Sequence, residues 1–283
     1  MRCIAALRTP PHHLLPMPGH IHFHPADAQG IARVIISHPG KLNALDIAMW
    51  RDLRAGFDAI RTQPRPPRAL IVQGEGGSFV AGGDIEEFPR FRFDPATLAD
   101  FHEEIVAPAL EAMLACDVPL IAQIEGACIG GGLEIAACCD LRLCGQGSRF
   151  GVPIAKLGFP MAPREIEIVA RVVGETVLRE LLLEARVLTA EEARLRGLVT
   201  RVLPDAEVAA DAWRTAQRIA ELSPQAMRLN KQALRRFTRG PTSQRAEREP
   251  HYAYAPSAEH REGLAAFNEK RPARFLDPDD PAR

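Results

Sequence analysis

Two glycine clusters, each directly after a short apolar run, constrain this chain more than any other feature of its sequence. The first, GEGGSFVAGGDIEEF at 74–88, follows ALIVQ at 69–73. The second, EGACIGGGLEIAACCD at 125–140, grows out of PLIAQIEG at 119–126 and enters a helical pattern through Gly130, Gly131 and Gly132. Glycine reaches positive φ without steric cost and lets a ligand approach the bare backbone. A helix N-terminus adds unpaired N–H groups and a favourable dipole. Two such loops facing each other would make a site for an anion or a polarised carbonyl. Neither carries GxxxxGK followed by Ser or Thr, and no GxGxxG stands at a strand-to-helix junction, which argues against a nucleotide phosphate. Glu134 follows Gly131 by three residues, so its side chain belongs on the first helical turn beside the proposed donors. A carboxylate there also stabilises the helix dipole, and position alone does not separate the two roles.

The rest of the chain alternates short apolar strands with amphipathic helices. HIHFH at 20–24 and IARVIIS at 31–37 read as a hairpin around Gly30, and Met49, Trp50, Leu53, Phe57 and Ile60 recur at helical spacing behind Asp46, a plausible N-cap. A helical segment from about Asp94 to Cys116, a strand LRLCG at 141–145, a capping box at Thr189 and Glu192, and a strand LVTRVL at 198–203 follow. This is an α/β pattern with a largely parallel sheet covered on its faces. From Asp205 onward only helical stretches are legible, one of them with Ser223 as N-cap and Pro224 at its first position. We therefore divide the chain into a proline-rich N-terminal extension at 1–19, read as disordered, a core at 20–204, and a helical region at 205–283 that either grips a neighbouring subunit or covers its own core.

A formal net charge of -1 supplies no field for nucleic acid, so any anionic ligand must be met by local groups. No apolar run approaches the roughly 18 residues of a membrane span, and the N-terminal segment is broken by prolines before it forms a signal-peptide core. The six cysteines lack the paired spacing of a zinc site or a disulfide framework and read as reduced, buried thiols. These points suit a cytoplasmic enzyme with no metal. His20, His22 and His24 share one strand face, read as the solvent side of an edge strand.

Several segments together resemble the crotonase (enoyl-CoA hydratase/isomerase) superfamily. VAGGDIEEF at 80–88 and IAQIEGACIGGGLEIAACCDLRLCGQGSRFG at 121–151 look like its two glycine-loop signatures. HPGKLNALD at 38–46, LTAEEARLRGLVTRVLP at 188–204 and EGLAAFNEKRPARF at 262–275 are similar to its N-terminal, downstream and C-terminal motifs, all in the right order. The resemblance implies a spiral of ββα units with a C-terminal helical trimerisation region, assembly as a trimer or a dimer of trimers, and an acyl-CoA thioester as substrate with no separate cofactor. It places the oxyanion hole at the backbone N–H groups of Gly83 and Gly131, and a catalytic acid/base at Glu134. It places CoA contacts at Lys41, Leu42, Ala81, Asp84 and Ile85, with Phe267 and Lys270 contributed by a neighbouring subunit.

The chain also departs from the pattern. Family hydratases carry a second glutamate twenty residues after the first; here the stretch is FGVPIAKLG, with Ile154 at that position. The next loop, FPMAPREIEI at 159–168, lacks the usual glycines, which reshapes an acyl pocket lined by Ile154 and Phe159. Glu165 or Glu167 is a candidate for the missing acid, although both read more simply as solvated first-turn carboxylates of a helix starting near Pro163. The leading expectation is an enoyl-CoA hydratase working through a single glutamate. The alternatives are an isomerase or other thioester-enolate enzyme, and a non-catalytic acyl-CoA-binding subunit.

Overall fold

The structure, a computed structural model, describes residues 18–237 and 249–275. Of the extension set apart at 1–19, residues up to 17 lie outside the described residues, Cys3 among them. β1 (His20–His24) and β2 (Ile31–Ser37) form the expected antiparallel hairpin, with His20 opposite Ser37. α1 (Ile47–Thr62) starts where the Asp46 carboxylate accepts from the Met49 N–H at 2.8 Å, and it buries the five apolar residues at helical spacing.

Further along lie β3 (Ala69–Gly74), β4 (Leu120–Ile124), β5 (Ala127–Ile129), β6 (Leu141–Gly145), β7 (Arg149–Gly151), β8 (Val187–Thr189) and β9 (Arg201–Leu203). One sheet has the order β1-β2-β3-β4-β6-β9, parallel at every pair after the hairpin. A smaller sheet has the order β5-β7-β8. The sequence reading missed β5, β7 and β8, which at three residues each are too short to show a period.

The connections repeat one unit. A strand of the large sheet is followed by a short strand of the small sheet and then a helix. Thus β4 and β5 lead into a helix at Gly131–Cys138, and β6 and β7 lead, through a short 3₁₀ turn at Pro153–Leu157, into one at Pro163–Leu183. The unit before them begins with β3 and passes Val80, which bridges to Cys128 in β5. It ends in α2 (Pro95–Asp100), a π-helical stretch at Phe101–Val106 and α3 (Ala107–Ala115). In chain order the two later helices are α4 (Gly131–Cys138) and α5 (Pro163–Leu183), the latter broken at Gly174. This is the expected spiral of ββα units.

Both faces of the large sheet are covered, which is why its strands read as continuous apolar runs. Leu70, Val72, Leu120, Ala122 and Ile124 face the main core with α1, α3 and α4. Ile71, Ile121 and Leu143 face the other way, against Ala212, Ala216 and Ala220. Those alanines repeat every fourth residue along α7 (Val208–Ala220), downstream of the capped α6 (Ala190–Leu195), and small side chains on one stripe let the helix lie close to the strands. α8 (Pro224–Phe237) docks on the same chain, with buried Lys231 donating to the Val118 carbonyl at 2.7 Å and pairing with Asp140 at 2.7 Å. By contrast, α9 (Ala258–Asn268) buries only Ala266 and leaves Leu264 and Phe267 exposed. Among the described residues no helix is long and apolar enough to cross a membrane, and no cluster of three or more His, Cys, Asp or Glu is arranged to hold a metal ion.

Candidate active site

The two glycine loops run side by side. Val80 donates to the Ala127 carbonyl at 2.8 Å and accepts from the Ile129 N–H at 2.9 Å, so the segments start in parallel register. Three residues further along each lie Gly83 and Gly131. Gly130 turns the chain into α4 at φ 51°, ψ -117°, a conformation reserved for glycine. A Cβ on it would stand 3.6 Å from the Gly82 Cα, so the two backbones are nearly in contact there.

The amide directions follow from the hydrogen bonds already made. Leu45 supplies both bonds of its bridge to the first loop, donating to the Gly82 carbonyl and accepting from the Asp84 N–H, each at 2.8 Å. The peptide joining Gly82 and Gly83 is planar and trans, so the Gly83 N–H points away from Leu45. Gly131 is the first residue of α4, where an N–H has no acceptor within the helix. Both glycines line one cavity of about 380 Å³.

Glu134 borders the same cavity from the first turn of α4 and is only 7% exposed. Burial pushes its carboxyl well above the usual carboxylate range, the charge of Glu165 pushes it further, and Arg92 opposes both. Glu165 is the correction that the structure makes to the sequence reading. It is 3% exposed and also lines the cavity. His102 Nδ1 lies 2.7 Å from its Oε1, and the Ala162 N–H donates to its Oε2 at 3.2 Å. Glu167, two residues on, is the solvated carboxylate expected there, 3.9 Å from Arg171. Ile154 borders the cavity without an ionisable group, and Phe159 packs edge-to-face on Phe88 with ring centroids 5.8 Å apart. The acid absent at 154 is thus matched by a carboxyl entering the cavity from α5.

The remaining predicted contacts fall in two places. Ala81 and Ile85 line the cavity, and Lys41, Leu42 and Asp84 lie beside it. Lys41 pairs with Asp84 and Glu86, each at 2.7 Å, and the Ala81 N–H donates to the Leu42 carbonyl at 3.1 Å. Leu42 and Ile85 are exposed at 62% and 59%, a solvent-facing apolar pair at the mouth of the first loop. Phe267 and Lys270 sit exposed at the end of α9, away from this cavity's lining. Sequence reasoning did not single out Arg92, His102 or Phe88. His102 lies in the π-helical stretch, where a widened turn is a frequent mark of a functional site but has no sequence signature.

The chain is thus a protein of the ββα-spiral class whose two glycine loops meet over a buried carboxyl. The enoyl-CoA hydratase/isomerase family model matches residues 26–278, and the chain belongs to that family. A solved enoyl-CoA hydratase/carnithine racemase from Magnetospirillum magneticum superposes with a TM-score of 0.86 at 37% identity, covering 92% of this chain and 97% of that one. A Rhizobium meliloti protein named probable enoyl-CoA hydratase is 32% identical over 254 residues, 88% of this chain and 96% of its own length. The human mitochondrial delta(3,5)-delta(2,4)-dienoyl-CoA isomerase is 31% identical over 211 residues, 71% of this chain and 64% of its own.

Proposed function

We propose that this protein is an enoyl-CoA hydratase that adds water across the double bond of a 2-enoyl-CoA, using Glu134 and Glu165 as its acid and base. The observation that carries this reading is the burial of both carboxyls on one cavity, beside two backbone amides turned away from other partners. Pairs of carboxyls whose environments push their proton affinities apart take opposite roles. Glu134, with its raised pKa, is the proton donor to the carbon next to the thioester. Glu165, accepting from the Ala162 N–H and held by His102, takes the proton from the attacking water.

As the water oxygen bonds to the third carbon, the double-bond electrons move toward the thioester and its oxygen gains charge. The Gly83 and Gly131 amides stabilise that charge where it develops, an effect worth roughly 3 kcal/mol for each such donor. No cofactor enters beyond the CoA carried by the substrate. In this reading Lys41, Leu42, Ala81, Asp84 and Ile85 border the CoA path, and Phe267 and Lys270 serve the site of a neighbouring subunit in a trimer or a dimer of trimers in the cytoplasm.

A second reading, a double-bond isomerase, draws support from the likeness to the human dienoyl-CoA isomerase. It uses the same two carboxyls to move a proton between carbons. Purified protein incubated with matched 2-enoyl and 3-enoyl thioesters separates the two. Formation of 3-hydroxyacyl-CoA from the 2-enoyl substrate, abolished by Glu134→Gln, is the expected result. Conversion of the 3-enoyl substrate alone would favour the isomerase, and tight binding with no turnover of either would favour a non-catalytic subunit.

A further inference from the structure

The acyl-CoA reading leaves one half-buried cation on the cavity without a task. Arg92 lines it with Glu134 and Glu165, and its guanidinium lies against two rings that meet edge-to-face, Cζ 4.1 Å from the centre of Phe88 and 3.8 Å from that of Phe159. The two rings pack on adjacent sides of it, their centroids 5.8 Å apart, and the rest of the group faces the cavity. No described residue accepts a hydrogen bond from its buried Nε. The obvious partner is engaged elsewhere, because the two oxygens of Glu165 are met by His102 and the Ala162 N–H. Even a half-buried cation is costly to leave without a hydrogen-bonded partner. Burial accordingly lowers its pKa, with Glu165 and Glu134 only partly opposing. Lys156 adds a second cation to the same lining.

A planar guanidinium held against two rings presents a fork of donors that matches a carboxylate two bonds at a time. We propose that the substrate's acyl chain ends in a second carboxylate, held by Arg92 beside Phe88 and Phe159, so that the enzyme acts on the CoA monothioesters of dicarboxylic acids. Phe159 stands on the FPMAPREIEI loop, where this chain departs from the family's glycine-rich turn, and that loop supplies one of the two rings of the clamp. The inference rests on the acyl-CoA reading of the site and deepens it from reaction to substrate class.

Isothermal titration with saturated acyl-CoA thioesters of increasing chain length, each paired with its ω-carboxylate counterpart, tests this without depending on turnover. Wild type is expected to bind the carboxylate member of the best-matched pair about ten- to a hundredfold more tightly, the range for a charge-assisted pair. Arg92→Met is expected to erase that preference, and Arg92→Lys, which keeps the charge but loses the fork, to retain part of it. The proposal is overturned if no pair favours the carboxylate in wild type, or if the preference persists in Arg92→Met. Absence of binding in both series would sink the acyl-CoA reading along with it. A carboxylate preference without hydration of any 2-enoyl substrate would sink the hydratase reading alone.

Discussion

Gly132→Ala tests whether the two glycine loops must touch for the site to work. A Cβ on Gly132 would stand 2.4 Å from the Val80 carbonyl oxygen and 2.8 Å from the Val80 Cβ. Ordinary contact begins at 3.4 Å, so the loops would have to part by about 1 Å at that point (3.4 minus 2.4). Because the obstacle is backbone that also accepts from the Ile129 N–H, a rotamer change cannot relieve it. Overpacking of this kind costs about 1–3 kcal/mol, and a melting point falls by roughly 2–4 °C per kcal/mol in a large domain. The activity should fall further than the stability. Gly131, the neighbouring residue, carries one proposed oxyanion donor, and misplacing such a group by about 1 Å costs on the order of a hundredfold in kcat. The assay is hydration of a 2-enoyl-CoA, followed by loss of conjugated-thioester absorbance well below both melting points. Gly76→Ala is the control: φ is 71° and nothing lies within 4 Å, so it carries backbone strain of about 1 kcal/mol with kcat intact. Unchanged melting and kcat in Gly132→Ala would refute the close approach, and lowered melting with unchanged kcat would refute the donor role of Gly131.

Two further outcomes follow from the carboxyl pair. His102→Ala removes the 2.7 Å contact to Glu165 and is expected to lower kcat about ten- to a hundredfold, the range for a lost charge-assisted hydrogen bond; steady-state kinetics with unchanged kcat would tell against it. Glu134, with a folded-state pKa raised above 4.5, binds its proton more tightly in the folded chain than in the unfolded one. Its contribution to stability is therefore fully present below about pH 4.5 and is lost as pH rises through the folded value. Urea midpoints measured across that window should decline less steeply in Glu134→Gln, and identical slopes would contradict the raised pKa.

Much of the fold was legible because several helices carry their own punctuation. Asp46, Asp94 and Thr189 cap the helices they precede, and the apolar stripe of α1 has the right period. The three short strands were not legible, since their partners are distant in sequence and three residues show no alternation. Within the site, the two glycine loops and the first-turn place of Glu134 stood out from local pattern, and the family resemblance singled out Gly83 and Gly131 within those loops. Glu165 could not be resolved in the same way. A first-turn carboxylate is solvated or buried according to what packs over it, and here that is His102, sixty-three positions away in sequence. Arg92 likewise acquires its setting from Phe159, on a loop that only the tertiary fold brings near. The absence of a carboxyl at Ile154 was legible, and Glu165 was one of two candidates to replace it that the sequence alone did not separate.

If two carboxyls, Glu134 and Glu165, work as a pair on one bound thioester, Glu165→Gln should disable the enzyme. With a 2-enoyl-CoA the variant is expected to keep its fold and lose about a hundred- to ten-thousandfold in kcat. Glu134→Gln should lose a comparable amount, and the double variant little more than the worse single one, as expected for groups acting as a unit. Full activity in Glu165→Gln would contradict the account.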